Sequence, residues 1–269
     1  MKTAFVFPGQ GSQVVGMGRD LFDASAASGA VYTQADAVVG FALTEICFAG
    51  PETALTATAN AQPALLATSA ALLATLADGA DFGAYTASRA QYVAGHSLGE
   101  YSALLAAGAL DLATALQLVR RRGELMAEAT QGAMAAVIGL EEAILEEACN
   151  EASTAAELVV IANYNAPGQL VISGAAAAVE RAGTLARERG ARRVLPLRVS
   201  AAFHSPLMGA AAAGLAPLLA AAEVTAAQVD VVANVTADPI RSATDIRAEL
   251  GAQVTAPVRW IASVQHMAA

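Results

Sequence analysis

The chain has 269 residues with 24 acidic against 15 basic side chains, so its formal net charge is −9. Hydrophobic residues make up 56 % and charged residues 14 %, which excludes a disordered chain, because disorder needs low hydrophobicity and high charge. The acidic balance also argues against a nucleic-acid-binding protein, because the phosphate backbone selects a basic surface. The length suits one large domain, or a large domain that carries a small one.

The mean hydropathy of +0.49 raises the question of a membrane span. The most apolar stretches, residues 64–77 and 210–222, are interrupted and fall short of the roughly 20 apolar residues that a spanning helix needs. Pro8 interrupts the N-terminus too early for a signal peptide. The two cysteines, Cys47 and Cys149, show no pairing motif. We therefore expect a soluble cytoplasmic protein that makes no membrane contact.

In the first half of the chain, short β-branched and aromatic runs predict strands, and apolar residues at helical spacing predict helices. Asp111 is a predicted N-cap. The first strand stops at Pro8 and the second at Gly95, so each is expected to enter a tight loop. The predicted elements are a strand over residues 3–7, a helix over 64–76, a strand over 91–94, and helices over 98–107 and 112–122.

The middle of the chain has a different order of elements, β-α-β-β-α-β, which is the split βαβ arrangement of a ferredoxin-like unit. These elements are strands over residues 134–138, 158–162, 170–173 and 193–197, and helices over 141–149 and 176–189. A helix near residues 206–222 and a strand near 229–235 follow. We therefore predict an α/β protein with a large domain (residues 1–126 and 199–269) and a small inserted ferredoxin-like domain (residues 127–198).

The strongest local motif reads GHSLG over residues 95–99 and fits the pattern G-x-S-x-G. It lies between a predicted strand and a predicted helix, where a serine occupies a strained turn and presents its hydroxyl to a cleft. Ser97 is therefore a predicted nucleophile, and the start of the following helix can stabilise an oxyanion. The alternative is a structural Gly/Ser turn in a chain with 22 glycines.

A serine hydroxyl needs a base within hydrogen-bond reach, and the chain has three histidines. His96 adjoins Ser97, so its ring is expected to point away from the hydroxyl. His266 lies near the chain end on a predicted helix face. His204 lies in a predicted loop between a strand and a helix, a position that lines active sites in α/β folds. His204 is therefore the predicted base, and a structural loop histidine is the alternative.

A second glycine-rich loop, FPGQGSQ over residues 7–13, follows the first strand. Val14 stands where a dinucleotide-binding G-x-G-x-x-G motif requires glycine, and no P-loop motif is present. The alternative to a nucleotide site is a loop that presents backbone N–H groups to an oxyanion. The chain also has no H-E-x-x-H motif and no Cys/His cluster at metal-ligand spacing. We therefore expect no metal.

Residues 7–13 and 95–101 together resemble the malonyl-CoA:acyl carrier protein transacylase family, which includes the bacterial fatty-acid enzyme and polyketide synthase acyltransferase domains. The resemblance covers nearly the whole chain, although family members usually continue beyond the position of Ala269. It implies a large α/β-hydrolase-like domain with a parallel sheet and a small inserted ferredoxin-like domain. Further matching segments, in family order, are residues 122–123, 163–169, 203–205, Gln253 and residues 257–260.

The resemblance assigns the catalytic groups. It implies that Ser97 is the acylated nucleophile and His204 its general acid and base. The backbone N–H groups of Gln10 and Leu98 would form the oxyanion hole. The backbone carbonyl of Gln253 would orient the histidine, in place of the acidic third member of a triad.

The resemblance also assigns substrate recognition. Arg122 would bind the free carboxylate of the malonyl group, because a guanidinium makes a planar, bidentate pair that lysine cannot copy. Arg120 and Arg121 are then expected to be surface charges. Phe203 would crowd an α-methyl substituent, as in malonyl-type members. Ala201 departs from polyketide malonyl-type domains, which often carry histidine there.

The implied reaction transfers malonyl from malonyl-CoA, through a serine ester, to the phosphopantetheine thiol of an acyl carrier protein. The coenzyme A thioester is a substrate, no cofactor is expected, and the enzyme is expected to be a monomer. Carrier proteins of this pathway are acidic, so a local basic patch is expected on a chain of charge −9. The alternative for such a patch is a solvated helix face. The candidate cluster over residues 181–198 contains Arg181, Arg187, Arg189, Arg192, Arg193 and Arg198, with Glu188 as its one acid.

Three other functions compete with this one. The first is a hydrolase that clears stalled acyl groups, which Arg122 disfavours because it would anchor a dicarboxylic acyl group. The second is the acyltransferase subunit of malonate decarboxylase, which shares the motifs. The third is a catalytically silent docking module, which the presence of Ser97 and His204 disfavours. The sequence does not distinguish a fatty-acid carrier from a polyketide carrier.

Overall fold

The computed structural model describes residues 2–129, 131–197, 199 and 201–269. Eight strands lie within these residues, in two sheets of four. The strands are β1 (Ala4–Phe7), β2 (Tyr92–Gly95), β3 (Ala133–Ile138), β4 (Val159–Ala166), β5 (Gln169–Gly174), β6 (Arg193–Pro196), β7 (Asp230–Val232) and β8 (Pro239–Ile240).

Helices surround both sheets, and none in the described part of the chain is long and apolar enough to cross a membrane. They are α1 (Arg19–Ala24), α2 (Ala26–Val39), α3 (Leu43–Ala49), α4 (Glu52–Thr56), α5 (Thr58–Ala77), α6 (Phe82–Ala87), α7 (Gly99–Ala106), α8 (Leu112–Glu128), α9 (Glu142–Ala152), α10 (Ala176–Glu188), α11 (Gly209–Ala221), α12 (Ala243–Gln253) and α13 (Trp260–Ala268). A short 3₁₀ helix, Pro206–Met208, precedes α11.

Every predicted element is present, but several helices escaped prediction. The helices α1, α3, α4 and α6 have five to seven residues, too few for a helical period to show. The longer helices α2 and α12 turn polar residues inward, namely Ser28 in the first and Glu249 and Gln253 in the second. A buried polar side chain breaks the apolar pattern on which the prediction depends.

The first sheet has the order β1-β2-β7-β8. The strands β1, β2 and β7 are parallel, and β8 runs antiparallel to β7. The prediction of a parallel sheet is therefore correct for three strands and wrong for β8 at the edge. The connection from Val232 to Pro239 is too short for a crossover, so it can only join antiparallel neighbours.

The second sheet has the order β4-β5-β3-β6, and all its neighbouring strands are antiparallel. Side chains alternate across it, as the period of two in a strand requires. Ala135 and Val137 of β3 belong to a core with α9 and α10, whereas Met134 belongs to the main core. The chain is thus a mixed α/β protein, as predicted, and its second sheet covers one side of the main core.

Helix α5 begins earlier than predicted and continues through Pro63. Proline has no N–H to donate to the Ala59 carbonyl one turn before it. The Arg120 guanidinium donates to that carbonyl instead, with an N···O distance of 3.0 Å. Arg120 therefore has a structural contact here, and the expectation that it is simply a surface charge is wrong.

Helix α8 begins at the predicted N-cap and ends later than predicted. The Asp111 carboxylate accepts a hydrogen bond from the Thr114 N–H at 2.7 Å, which satisfies one of the free N–H groups of the first turn. The helix continues to Glu128, so Arg122 lies in its interior. Arg122 therefore lies too far from the last turn to interact with the helix dipole at its C-terminus, because that effect is confined to the last turn.

Candidate active site

Ser97 lies on the tight turn from β2 into α7, and its φ of 53° is in the left-handed region that a non-glycine residue rarely adopts. The flanking glycines allow this turn to be compact. A Cβ on Gly95 would lie 1.9 Å from the carbonyl carbon of Gly99, and a Cβ on Gly99 would lie 2.4 Å from the Phe7 oxygen. The predicted strand, strained turn and helix are therefore all present around the serine.

His204 lies next to this serine although it is far away in the chain. Its Nε2 is 2.7 Å from the Ser97 hydroxyl oxygen. Its Nδ1 lies 3.0 Å from the Gln253 carbonyl oxygen and 3.1 Å from that of Ala256. Because both of these partners only accept hydrogen bonds, Nδ1 carries the proton and Nε2 is free to accept the serine proton. The carbonyl of Gln253 thus lies where the resemblance implies.

Burial keeps this histidine neutral. His204 is only 4 % exposed. Burial, and next the positive charge of Arg122, lower the pKa of His204 to about 3. At neutral pH the imidazole therefore holds no extra proton and can act as a base.

The other two histidines do not contact the serine hydroxyl in the described structure. His96 directs its Nε2 to the Asn165 side-chain oxygen at 2.8 Å, and its ring packs beside Trp260. This agrees with the expectation that it points away from the hydroxyl. His266 lies on α13 and packs edge-on against Tyr92, with ring centroids 5.6 Å apart.

Arg122 reaches the same serine from α8. It is 2 % exposed, and its NH2 nitrogen lies 3.1 Å from the Ser97 hydroxyl oxygen. Its other hydrogen bonds go to the side-chain oxygens of Gln62 at 2.8 Å and Gln253 at 2.9 Å. Every one of these acceptors is uncharged, and its Nε has no hydrogen-bond partner in the described part of the structure. A buried cation of this kind favours an incoming anion, because none of its hydrogen-bond acceptors carries a charge.

The predicted oxyanion donors lie on the two loops that meet at the serine. Gln10 and Leu98 both line the cavity in front of Ser97. Neither backbone N–H donates to an acceptor among the described residues. The Ser97 N–H, by contrast, donates to the Asn234 side-chain oxygen at 2.7 Å. Leu98 and Gln10 therefore each keep a backbone N–H without an acceptor among the described residues, on the two loops that meet at the serine.

The cavity has a volume of about 340 Å³ and lies between the loops of the first sheet and the second sheet. Phe203 lines it beside the histidine and is 8 % exposed. The wall of the cavity is polar around the serine and apolar on one side. The apolar side includes Met126, Met134, Leu197, Val199 and Phe203.

The structure brings three further polar side chains to the site that sequence reasoning missed. Gln62 and Asn234 contact Arg122 and Ser97 as described above, and Glu100 accepts hydrogen bonds from the Asn234 N–H and the Gln253 side-chain amide. Glu100 directly follows the GHSLG motif, so an acid on a buried helix was an available signal. Gln62 and Asn234 lie far from every motif, and nothing local marks them.

The predicted basic cluster is partly neutralised. Arg181 pairs with Glu157 at 2.8 Å, and Arg189 pairs with Glu151. Glu157 and Glu151 lie outside residues 181–198, so counting charges within that segment did not include them. Arg198 lies outside the described residues. A docking role for the cluster stays a prediction.

No group of three or more His, Cys, Asp or Glu side chains suited to a metal ion occurs in the described ranges. The expectation that the reaction needs no metal and no cofactor stays a prediction.

The chain matches a known protein family. The sequence model of that family, the acyl transferase domain, matches residues 4–269. The chain belongs to the acyl transferase family. Its membership confirms the resemblance in the sequence and makes the protein an acyltransferase.

Individual members of the acyl transferase family are similar over the full chain. The malonyl CoA-acyl carrier protein transacylase of Bacillus subtilis (strain 168) is 44 % identical over 271 residues, which cover 100 % of this chain and 83 % of that protein. The crystal structure of acyl-carrier-protein-S-malonyltransferase from Bartonella henselae superposes with a TM-score of 0.95 at 42 % identity, covering 100 % of this chain and 85 % of that one.

A third relative was solved with a partner. This relative is the malonyl-transacylase in a structure of a type II PKS acyl-carrier protein (holo) in complex with its malonyl-transacylase. This structure has a TM-score of 0.92 and 41 % identity to the chain described here, and covers 100 % of this chain and 85 % of that one.

Proposed function

We propose that this acyltransferase moves a malonyl group from malonyl-CoA to the phosphopantetheine thiol of an acyl carrier protein, through an ester on Ser97. One observation carries the proposal. The buried Arg122 guanidinium lies 3.1 Å from the same serine oxygen that His204 contacts at 2.7 Å. A nucleophile with a cation beside it suits an acyl group that ends in a carboxylate. The names of the similar proteins support the same substrates.

In the first half-reaction the neutral His204 accepts the proton of Ser97 at Nε2 as the serine oxygen attacks the thioester carbonyl. The carbonyl oxygen becomes an oxyanion, which the N–H groups of Leu98 and Gln10 bind. Each such donor is worth about 3 kcal/mol of barrier. The C–S bond then breaks, the sulfur takes the proton from His204, and coenzyme A leaves.

The second half-reaction runs through the same groups in the opposite direction. The carrier's thiol gives its proton to His204 and attacks the serine ester, and the oxyanion again uses the two N–H donors. When the C–O bond breaks, His204 returns the proton to Ser97. The carbonyls of Gln253 and Ala256 hold the imidazole and stabilise its charged form in both halves.

The position of Arg122 supports acyl transfer over hydrolysis of stalled acyl groups. The guanidinium would form a charge-assisted pair with the malonyl carboxylate and hold the acyl chain beside the serine. Phe203 lies next to His204 on the cavity wall, where we propose that it crowds an α-methyl branch. These two side chains together would favour malonyl over acetyl and methylmalonyl groups.

The two sheets support a division into two domains. We propose that residues 127–198 form a small ferredoxin-like domain inserted into an α/β-hydrolase-like domain of residues 1–126 and 199–269. The antiparallel order β4-β5-β3-β6, with α9 and α10 on one face, supports the first assignment. The parallel strands β1, β2 and β7, with the serine turn after β2, support the second.

For the carrier we propose a docking surface at β6 and the end of α10. Arg187, Arg192 and Arg193 have no ion pair among the described residues, unlike Arg181 and Arg189. Leu195 and Leu197 on the same strand segment are exposed, and Leu197 also lines the cavity. An apolar strip beside positive charge at the cavity mouth suits an acidic carrier with an apolar arm.

The test uses malonyl-CoA labelled in its malonyl group. The protein should release one equivalent of coenzyme A in a burst and retain the label on Ser97 until a holo carrier protein is added, when the label moves to the carrier. A Ser97→Ala variant is the control and should retain no label. Rapid loss of the label to water without a carrier would favour the hydrolase, and the absence of a burst would favour a silent docking module.

A further inference from the structure

A side chain outside every sequence motif, that of Asn234, forms hydrogen bonds to the backbone of the serine turn. Asn234 lies two residues after the end of β7, and the carboxyl ends of the parallel strands β7 and β2 lie side by side. Its side-chain oxygen accepts the Ser97 N–H at 2.7 Å, and its Nδ2 donates to the Gly95 carbonyl at 2.7 Å. One amide therefore bridges the residues on both sides of His96.

Asn234 is itself held in place on all sides. It is completely buried. Its backbone N–H donates to the Glu100 carboxyl at 2.9 Å, and its backbone carbonyl accepts from the Arg259 N–H at 2.9 Å. Every polar group of the residue thus has a partner. An Asn whose backbone and whose side-chain oxygen and nitrogen are all held by hydrogen bonds can hold a strained turn without rearranging.

We propose that Asn234 is the positioning residue of the nucleophile: it keeps Ser97 in its left-handed conformation and thereby aims the hydroxyl at His204. This proposal rests on the proposed role of Ser97. A φ of 53° strains the serine backbone, and the two short hydrogen bonds from Asn234 offset that strain.

The same contacts also decide which N–H groups face the cavity. Because Asn234 occupies the Ser97 N–H, the turn cannot rotate to offer that group to an oxyanion. The N–H of the serine turn that can donate to an oxyanion is then that of Leu98. Among the described residues, Asn234 makes no hydrogen bond to Arg122 and does not line the cavity, so it acts on the nucleophile and leaves recognition of the acyl group alone.

The test is Asn234→Leu, with Asn234→Ala as a smaller second variant in case leucine prevents folding. The burst of coenzyme A release distinguishes a misplaced serine from a folding defect. Unfolded protein lowers the burst amplitude, whereas a misplaced serine lowers the rate constant. We expect a full amplitude per folded protein, a rate constant reduced by about tenfold or more, and an unchanged KM for malonyl-CoA and malonyl-to-acetyl ratio. A wild-type rate constant, or a loss confined to the amplitude, overturns the proposal.

Asn234→Asp supplies the conservative variant. At about pH 5.5 we expect this buried carboxyl, which faces Glu100 and Glu249, to be protonated, because burial and neighbouring carboxyl groups both favour the neutral form. It then accepts the Ser97 N–H and donates to the Gly95 carbonyl as the amide does. We expect this variant to recover most of the rate constant that Asn234→Leu loses at that pH. Equal losses in the two variants contradict a hydrogen-bonding role.

A matched control is Asn60→Leu. Asn60 also donates to a backbone carbonyl, that of Ala54 at 3.0 Å, but it does not line the cavity. The Asn60→Leu substitution should leave the rate constant of the coenzyme A burst unchanged. Labelling of Ser97 by an aryl sulfonyl fluoride gives a second readout that needs no acyl-CoA. If the wild-type protein rejected malonyl-CoA, the proposed function would fail, and this labelling rate would still decide the role of Asn234.

Discussion

Arg122 combines two properties that rarely occur together, a full positive charge and a nearly complete lack of solvent contact. Its hydrogen-bond acceptors, Gln62, Gln253 and Ser97, carry no charge. Burial lowers the pKa of Arg122, although a guanidinium stays charged at any ordinary pH. A buried guanidinium with uncharged acceptors favours the binding of an anion, which is why we propose that it holds the carboxylate of the acyl group.

Replacing this arginine should separate two activities. In Arg122→Ala we expect malonyl transfer to fall by about 100-fold or more, since the loss of one partner of a buried charge pair costs about 3 kcal/mol. Acetyl transfer should survive or increase, because acetyl has no carboxylate. Parallel assays with malonyl-CoA and acetyl-CoA measure the two activities, and Arg121→Ala, a half-buried neighbour on α8 that pairs with Glu124, is the control. An equal loss on both substrates would contradict the assignment.

The pH dependence of acylation should reflect the buried histidine. His204 acts as a base only when neutral, and its pKa of about 3 keeps it neutral at every higher pH. The rate constant of the burst should therefore be flat from about pH 5 to 8 and fall only towards pH 3. An ordinary histidine would halve the rate near pH 6.5. In Arg122→Ala, assayed with acetyl-CoA, the acid limb should move to higher pH, because Arg122 is one cause of the low pKa.

At the scale of elements, the active site depends on how closely α7 approaches β2 and β1. The chain backbones meet at Gly95 and Gly99, where no side chain fits. This contact sets the angle at which α7 leaves the sheet, and so the direction of its first N–H groups. The glycines of the motif therefore have a packing role in addition to permitting the turn.

Gly95→Ala tests this contact. The added Cβ overlaps the Gly99 carbonyl group, and we expect a loss of about 3 kcal/mol in the free energy of unfolding together with loss of acylation. The control is Gly251→Ala within α12, where a Cβ meets nothing within 4 Å. That change should stabilise the protein by about 0.5–1 kcal/mol. Chemical denaturation measures both, and similar values for the two variants would show that the close approach is unimportant.

At the scale of the whole molecule, a net charge of −9 opposes an acidic carrier, so docking needs a region where the local charge is positive. The ion pairs of Arg181 and Arg189 remove two arginines from that region. Arg187 and Arg193 therefore carry more of the proposed attraction than the count of arginines in the segment indicates.

Charge reversal tests the docking surface. In the double variant Arg187→Glu and Arg193→Glu we expect the KM for the carrier to rise several-fold at low salt, and the difference from wild type to shrink as salt screens the charges. Acylation by malonyl-CoA should not change. Arg89→Glu is the control, because Arg89 precedes β2 and so lies at the end of the sheet away from the serine. An unchanged carrier KM would remove this surface from consideration.

The sequence alone predicted much of the secondary structure and most of the side chains that meet at the candidate active site. Strands such as β1 and β2, the N-cap Asp111 and the serine turn depend on interactions within a few residues, which local patterns record. The histidine was found by elimination among three candidates, and the roles of Gln10, Leu98, Arg122 and Gln253 came from the family resemblance. The separation of His204 from Ser97 along the chain hid their contact from any local rule.

What only the tertiary structure decided are the partners of those groups. Nothing near Asn234 or Gln62 in the sequence indicates that one closes the serine turn and the other holds the arginine. The helix predicted over residues 64–76 extends back through Pro63, and Arg120 from another helix satisfies the carbonyl that the proline leaves free. The physical reason is the same in each case: turns and caps are stabilised by neighbours in sequence, whereas buried polar groups must be satisfied by whichever side chain the fold brings within about 3 Å.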